Sequence, residues 1–475
     1  MRDLFLTLFV FGMIPVTLVR PQWGLLIWAW ISYMNPHRLT WSFAYEFRFN
    51  YFIALATLLG ILFSKHVRIR IPMNAVTILW FLFVVWVTIT TWTSLNPTYA
   101  WQSWERFIKI QLMVVSTFIL MTEKEWLNRL AWVIVVSVGF WGMKGGIFTI
   151  TTGGAYRVFG PPSSFIADNN DLALALIMTI PLMGYLYQCH ANRWIRMMIL
   201  SMMLTSIVSV AGSYSRGGFL GLGVLGSFYW LRNRGKILRG TLFLAAAFIM
   251  WGIMPDKWHH RMEGMFDENA TILEDKSVTG RLAAWDLAMA VAKDRVVGGG
   301  FRTFSKPVYM HYTPKAQHFQ DSHSIYFEII GEQGYIGIVL FALLFLNSFR
   351  LGMKTIRMVR GRPDLKWADS LSAYLQLSLV GYGTSGAFLG LAYFDLPYHY
   401  LTMLVMTNVV ISKALSEEPA DSREEVLGRD QPGASSTRRH PGLRRYTWPA
   451  RLDRTLESRP GRVPLSSGVA AGTRQ

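Results

Sequence analysis

Three residues in this chain have side chains that could do chemistry together. Arg216 lies in "AGSYSRGGFLGL", Arg281 in "TGRLAAWDLAMAVAKD" and His323 in "QDSHSIYFEIIGEQGYIG". Arg216 and His323 each open an apolar run, where a charged or titratable group is expensive and marks a candidate site. A guanidinium keeps its charge at any relevant pH and grips phosphate oxygens with two parallel N–H groups. A neutral imidazole is the usual acceptor of a hydroxyl proton near neutral pH. Two phosphate clamps and one base suit a reaction in which a lipid-linked pyrophosphate leaves while a hydroxyl attacks. Arginines that neutralise the departing charge would remove the need for a general acid.

Neighbouring residues give weaker signals. Asp321 either orients the His323 ring or caps the following helix. In "FIADNNDLALAL", Asp168 and Asn170, with Asn169 and Asp171, could bind sugar hydroxyls or cap a helix. Thr279 is expected to be an N-cap, with Arg281 in the first turn. A cation there opposes the helix dipole unless an anion binds too. Leu282, Trp285, Leu287, Ala288 and Met289 give that helix an apolar face. Gly217 and Gly218 permit close approach to the backbone, and Gly298, Gly299 and Gly300 form a turn that is a weak candidate phosphate cradle. His311, His318 and His323 have no metal-site spacing, so no metal is expected. The single cysteine, Cys189, excludes an internal disulfide. No nucleotide-binding loop is visible, and no cofactor is expected.

The elements that must hold these residues are membrane helices. Of 475 residues, 52% are apolar and only 16% charged, against roughly 25% in soluble proteins. Apolar runs are expected to span the bilayer near 74–93, 105–121, 127–150, 171–188, 194–212, 217–231, 240–254, 323–349, 370–390 and 396–413. The net charge of +18 is not a nucleic-acid footprint. It sits in short loops at Lys65–Arg70, Arg193 and Arg196, Arg232–Arg239 and Arg350–Lys366. These alternate with loops poor in Lys and Arg, which puts the long 255–322 loop outside the cytoplasm and the C-terminus inside. Residues 3–19, 21–34 and 49–64 form three shorter apolar pieces. If 3–34 is one crossing broken at Arg20-Pro21, the expectation favoured here, about 12 transmembrane helices result. Three separate crossings would give thirteen. Beyond residue 412 the chain turns to Arg, Ser, Pro, Gly and Glu and reads as a disordered cytoplasmic tail, 413–475.

"SRGG", "TGRLAAWDLAMAVAKDRVVGGGFRTF", "HSIYFEIIGEQGYIG" and "DNNDLALAL", in this order, resemble the O-antigen ligase superfamily over most of residues 50–412. "SYMNPHRLTWSFAY" further resembles the exosortase A system-associated O-glycosylation ligases. The resemblance implies an all-α, GT-C-like polytopic inner-membrane enzyme with one large periplasmic loop. It implies inverting, metal-independent transfer of a glycan from undecaprenyl pyrophosphate to an acceptor hydroxyl on lipid A core, a protein or a polysaccharide. His323 would be the base, and Arg216 and Arg281 the pyrophosphate ligands. One departure is Ser324, where the family often has Asn. The competing expectations are an O-antigen-type polymerase and, from another class, a transporter or flippase of lipid-linked sugar.

Overall fold

The computed structural model describes residues 1–232, 276–316 and 318–417, with isolated positions between 241 and 259. Every regular element among them is helical. In chain order they are α1 Arg2–Gly12, α2 Ile14–Val19, α3 Pro21–Met34, α4 Phe49–Phe63, α5 Ala75–Trp92, α6 Pro97–Leu120, α7 Lys124–Thr151 and α8 Asn169–Cys189. There follow α9 Arg193–Gly212, α10 Arg216–Arg232, α11 Lys276–Asp294, α12 Lys306–Tyr312, α13 Ile325–Met358, α14 Lys366–Gly386 and α15 Asp395–Glu417. The expected span at 240–254 and most of the tail lie outside the described residues. Helix α15 runs on to Glu417, four residues past the expected start of the tail.

Six helical stretches among the described residues are long and apolar enough to cross a membrane: Arg2–Val19, α5, α7, α8, α9 and α13. Helix α8 is the central one, with 78% of its apolar window buried, against 39% for α5 and α9. The outer faces of those two expose Phe81, Leu82 and Val85, and Met197, Met198 and Leu204. Such rows are unusual on a water-facing surface and suit contact with lipid.

The first 34 residues differ from the favoured expectation. Asp3 Oδ1 accepts from the amides of Ser42 and Ala44 at 3.0 and 3.2 Å. Phe9 packs edge-on against Trp30 at 5.6 Å, and Thr17 lies directly against Gly24. This antiparallel pairing makes α1–α2 and α3 a hairpin that reverses at Arg20-Pro21, not one broken crossing. Proline restricts the residue before it and cannot continue the ladder, so the helix ends there. Gly24 then lets the two arms close, since a Cβ at that position would strike Thr17 and Thr57.

Helix α13 is also not one continuous rod. Gly334 has φ 67° and ψ −167°, which divides the element into a stub, 325–333, and a long apolar helix. The glycine turn 298–300 docks into the break. The amides of Gly299 and Gly300 donate to the carbonyls of Gly331 and Glu332 at 2.9 and 2.8 Å, and Tyr335 N donates to Val296 O at 3.2 Å. A Cβ on Gly298 or Gly334 would collide with the opposing backbone. Leu95 N donates to Gly299 O at 2.8 Å, and Trp86 Nε1 donates to Gln333 O at 2.9 Å, so α5 completes the clasp. On α15, the buried His399 touches Tyr33 OH through Nδ1 at 2.7 Å and Thr117 Oγ1 through Nε2 at 3.2 Å. This ties α3 and α6 to the C-terminal helix with the polar contacts that hold apolar bundles in register.

Candidate active site

Arg216 is the first residue of α10, as its place before the apolar run predicts. Ser215 caps the helix, its Oγ accepting from Gly218 N at 3.1 Å. The groups that approach the two glycines are Phe388 and Ser385 at Gly217, and Ala173 of α8 at Gly218. Just before this cap, Tyr214 has φ 58°, and its hydroxyl donates to Gly154 O at 2.6 Å. Asn169 Nδ2 donates to Ser213 O at 2.7 Å, so a buried asparagine of α8 holds the turn that presents Arg216.

Arg281 sits differently from expectation. Helix α11 is described from Lys276, so Thr279 lies inside it and is not its cap. Arg281 is therefore in the second turn, beyond the open amides of a helix start. The buried face of α11 is Ala284, Leu287, Ala288, Val291 and Ala292, while Leu282 is exposed. Trp285 joins this helix to the histidine segment. Its Nε1 donates to Ser322 O at 2.9 Å, and its ring stacks on Phe327 at 4.5 Å and 8°. Gly280 lies against the Gln320 side chain, and Tyr309 OH donates to Gln320 O at 2.8 Å.

These contacts hold His323 in a left-handed backbone conformation, φ 43°. A non-glycine residue adopts it at a cost and persists there when its surroundings over-determine it. The ring is half-buried and makes no hydrogen bond among the described residues. Partial burial holds the imidazole below its usual pKa, and the Arg281 charge acts in the same sense. The carboxylates of Asp321 and Asp168 oppose them. No hydrogen bond joins Asp321 to the ring, so its influence there is electrostatic. Asp168 caps α8, accepting from Asn170 N and Asn170 Nδ2, both at 2.9 Å.

The loop between α14 and α15 links the two ends of the site. Gly217 packs on Phe388, and two residues further on Gly390 faces the His323 backbone, 3.6 Å from where its Cβ would be. The α14–α15 loop thus touches both the start of α10 and the His323 backbone, and the Arg281 charge acts on the His323 ring. The glycine turn is not a phosphate cradle, because the Gly299 and Gly300 amides are already spent on α13.

Sequence reasoning passed over a cavity of about 190 Å3 beside Asp321 and Ser322. Arg106, Arg302, Glu328 and Glu332 line it together with aromatic rings. Arg302, at φ 66°, donates its backbone N–H to Glu332 Oε1 at 2.9 Å and its Nε to Ser103 Oγ at 3.2 Å. The signal that could have revealed it is the pair Glu328 and Glu332, four residues apart on one face of an apolar helix.

Comparison with known proteins follows the same division of the chain. Residues 1–191 match a family of unknown function (DUF5935). No curated protein matches. Residues 201–342, which carry Arg216, Arg281, Asp321 and His323, match the O-antigen ligase family, and this supports placing the chain in the O-antigen ligase superfamily as a membrane enzyme of ligase or polymerase type.

Proposed function

We propose that the protein transfers a glycan from undecaprenyl pyrophosphate to an acceptor hydroxyl, with inversion, at the periplasmic face of the bacterial inner membrane. One observation carries the reading. A half-buried histidine, in a strained backbone turn and with no hydrogen bond to its ring, sits beside Arg281 within the segment that matches the ligase family. Arg216 and Arg281 hold the pyrophosphate, and the lipid tail lies between helices. The acceptor oxygen attacks the anomeric carbon from the face opposite the pyrophosphate and gives its proton to His323 Nδ1 or Nε2. The anomeric C–O bond breaks, and undecaprenyl pyrophosphate departs with the bonding pair. Its charge is met by guanidinium rather than by an acid, and the scheme calls for no metal or nucleotide.

In this reading the ligase domain is residues 1–412 and the remainder is a cytoplasmic tail. The alternation of basic loops with loops poor in Lys and Arg supports placing 255–322 outside. The N-terminal hairpin supports the count of thirteen crossings over twelve, with residue 1 outside as well. Kinship with exosortase-associated O-glycosylation ligases rests on "SYMNPHRLTWSFAY", which lies in the DUF5935 segment.

Purified full-length protein given the lipid-linked donor and an acceptor preparation tests the scheme. His323→Ala should lower transfer by roughly 10²–10⁴-fold, and Arg216→Ala should weaken donor binding. Near-normal transfer by the first variant would remove the base. Unchanged donor affinity in the second would remove the clamp.

A further inference from the structure

The cavity beside Asp321 and Ser322 is distinct from the residues assigned to the donor. Its walls include neither Arg216, Arg281 nor Asp168. It lies on the other flank of the histidine segment, between α6, the turn after Gly300, the α13 stub and the α14–α15 loop. Gly390 closes the link. A Cβ there would stand 3.6 Å from His323 N and 3.6 Å from Glu328 Oε2, so the glutamate and the histidine backbone flank the same glycine.

The lining has the composition that recognises a sugar ring. Phe301, Phe394 and Tyr393 supply apolar faces for the C–H surface of a pyranose, and Tyr393 packs on Phe301 at 4.7 Å. Arg106 and Arg302 supply donors, while Glu328 and Glu332 supply acceptors. Glu328 Oε2 accepts from Ala392 N at 3.1 Å, and Glu332 Oε1 from Arg302 N, which fixes both carboxyl groups. Arg106 makes no ion pair or hydrogen bond with any described residue, although it stands at the cavity wall. Mixed donors and acceptors around aromatic rings suit a hydroxyl-rich ring. At about 190 Å3 the space is below the ~300–1,000 Å3 of pockets for drug-sized ligands and suits one ring.

We infer that this cavity is the acceptor subsite, binding a single hexose ring of the acceptor glycan and offering one of its hydroxyls to His323. The inference deepens the ligase reading and rests on it for the word acceptor. Arg106 and Glu328 are its binding residues, and neither touches the donor.

The test uses full-length protein in lipid nanodiscs and methyl hexosides of glucose, galactose and mannose as probes, observed by saturation-transfer NMR. The wild-type protein should bind at least one of them. Arg106→Ala and Glu328→Ala should each weaken that binding roughly tenfold, as expected for the loss of a hydrogen bond, while Arg106→Lys retains part of it. Undecaprenyl pyrophosphate added at saturation should leave sugar binding intact. No binding of any probe, equal binding by all variants, or displacement of the sugar by undecaprenyl pyrophosphate would each overturn the subsite. Sugar binding that depends on Arg106 in a protein that neither binds undecaprenyl pyrophosphate nor transfers glycan would keep the sugar site and reject the ligase reading instead.

Discussion

At the residue scale, His323 is held by its neighbours rather than by partners of its own ring. Trp285 Nε1 donates to the Ser322 carbonyl and Ser322 Oγ donates to Ser324 O at 3.1 Å, while no hydrogen bond to a described residue holds the ring itself. Burial and Arg281 favour the neutral ring, the form that the proposed base needs at neutral pH. A group with a lowered pKa loses its neutral form only when the pH falls below that lowered value. Transfer should therefore fall on the acid side with an inflection below the ordinary histidine value of about 6.5. Asp321 and Asp168 stabilise the imidazolium, so Asp321→Asn should move the inflection to still lower pH, read from kcat/KM against pH. Movement upward would contradict the assigned electrostatics. Much of this was legible in the sequence, because an arginine or a histidine at the edge of an apolar run is conspicuous. Asn169 was conspicuous but not its hold on Ser213, and Arg106 and Arg302 were not legible at all. Their roles depend on which distant segment folds against them, and nothing in local spacing encodes that.

At the scale of elements, glycine explains more than any charged residue. The turn 298–300 and the break at Gly334 form one backbone-to-backbone clasp, possible because neither side carries a Cβ at the crossing. Gly334→Ala places a side chain on φ 67° and against Val296 O, so it should destabilise the fold by about 1–3 kcal/mol. The Tm of the protein in detergent should fall, and transfer should fall with it because the His323 stub is displaced. Gly12→Ala, which meets nothing within 4 Å, should leave both unchanged; equal behaviour of the two variants would dismiss the clasp. The sequence identified the glycine turn but suggested phosphate for it. A run of glycines announces close approach without saying what approaches. Most described helices were readable from apolar runs, though α6 starts eight residues before its expected span and α13 ends nine residues after it, and the break inside α13 was hidden because a long apolar stretch looks the same with or without one reversed φ.

At the scale of the whole molecule, the proposed orientation follows from charge alternation and the N-terminal hairpin. Single cysteines placed at Lys315, Arg360 and Arg20 in a Cys189→Ser background can be labelled with a membrane-impermeant maleimide in spheroplasts. Lys315→Cys should react directly. Arg360→Cys and Arg20→Cys should react only after the membrane is opened; the reverse pattern would invert the protein, and direct labelling at residue 20 would undo the hairpin topology. The fold class was evident from composition alone, yet the hairpin was not. Proline at position 21 ends a helix in either arrangement, and it is the pairing of Asp3 with Ser42 and Ala44, Phe9 with Trp30 and Thr17 with Gly24 that shows which way the chain then turns.

The clasp also has a consequence for how such a protein can be recombined. The segment 1–191 meets the segment 201–342 through Leu95 on Gly299 and Trp86 on Gln333. The seam runs on through the cavity, where Ser103 and Arg106 face Arg302 and Glu332. Exchanging the N-terminal segment with that of a relative would import half a binding surface and leave the other half behind. The joined pair would then be the unit to move together, and a chimera cut at residue 191 would be a graft across the proposed acceptor cavity.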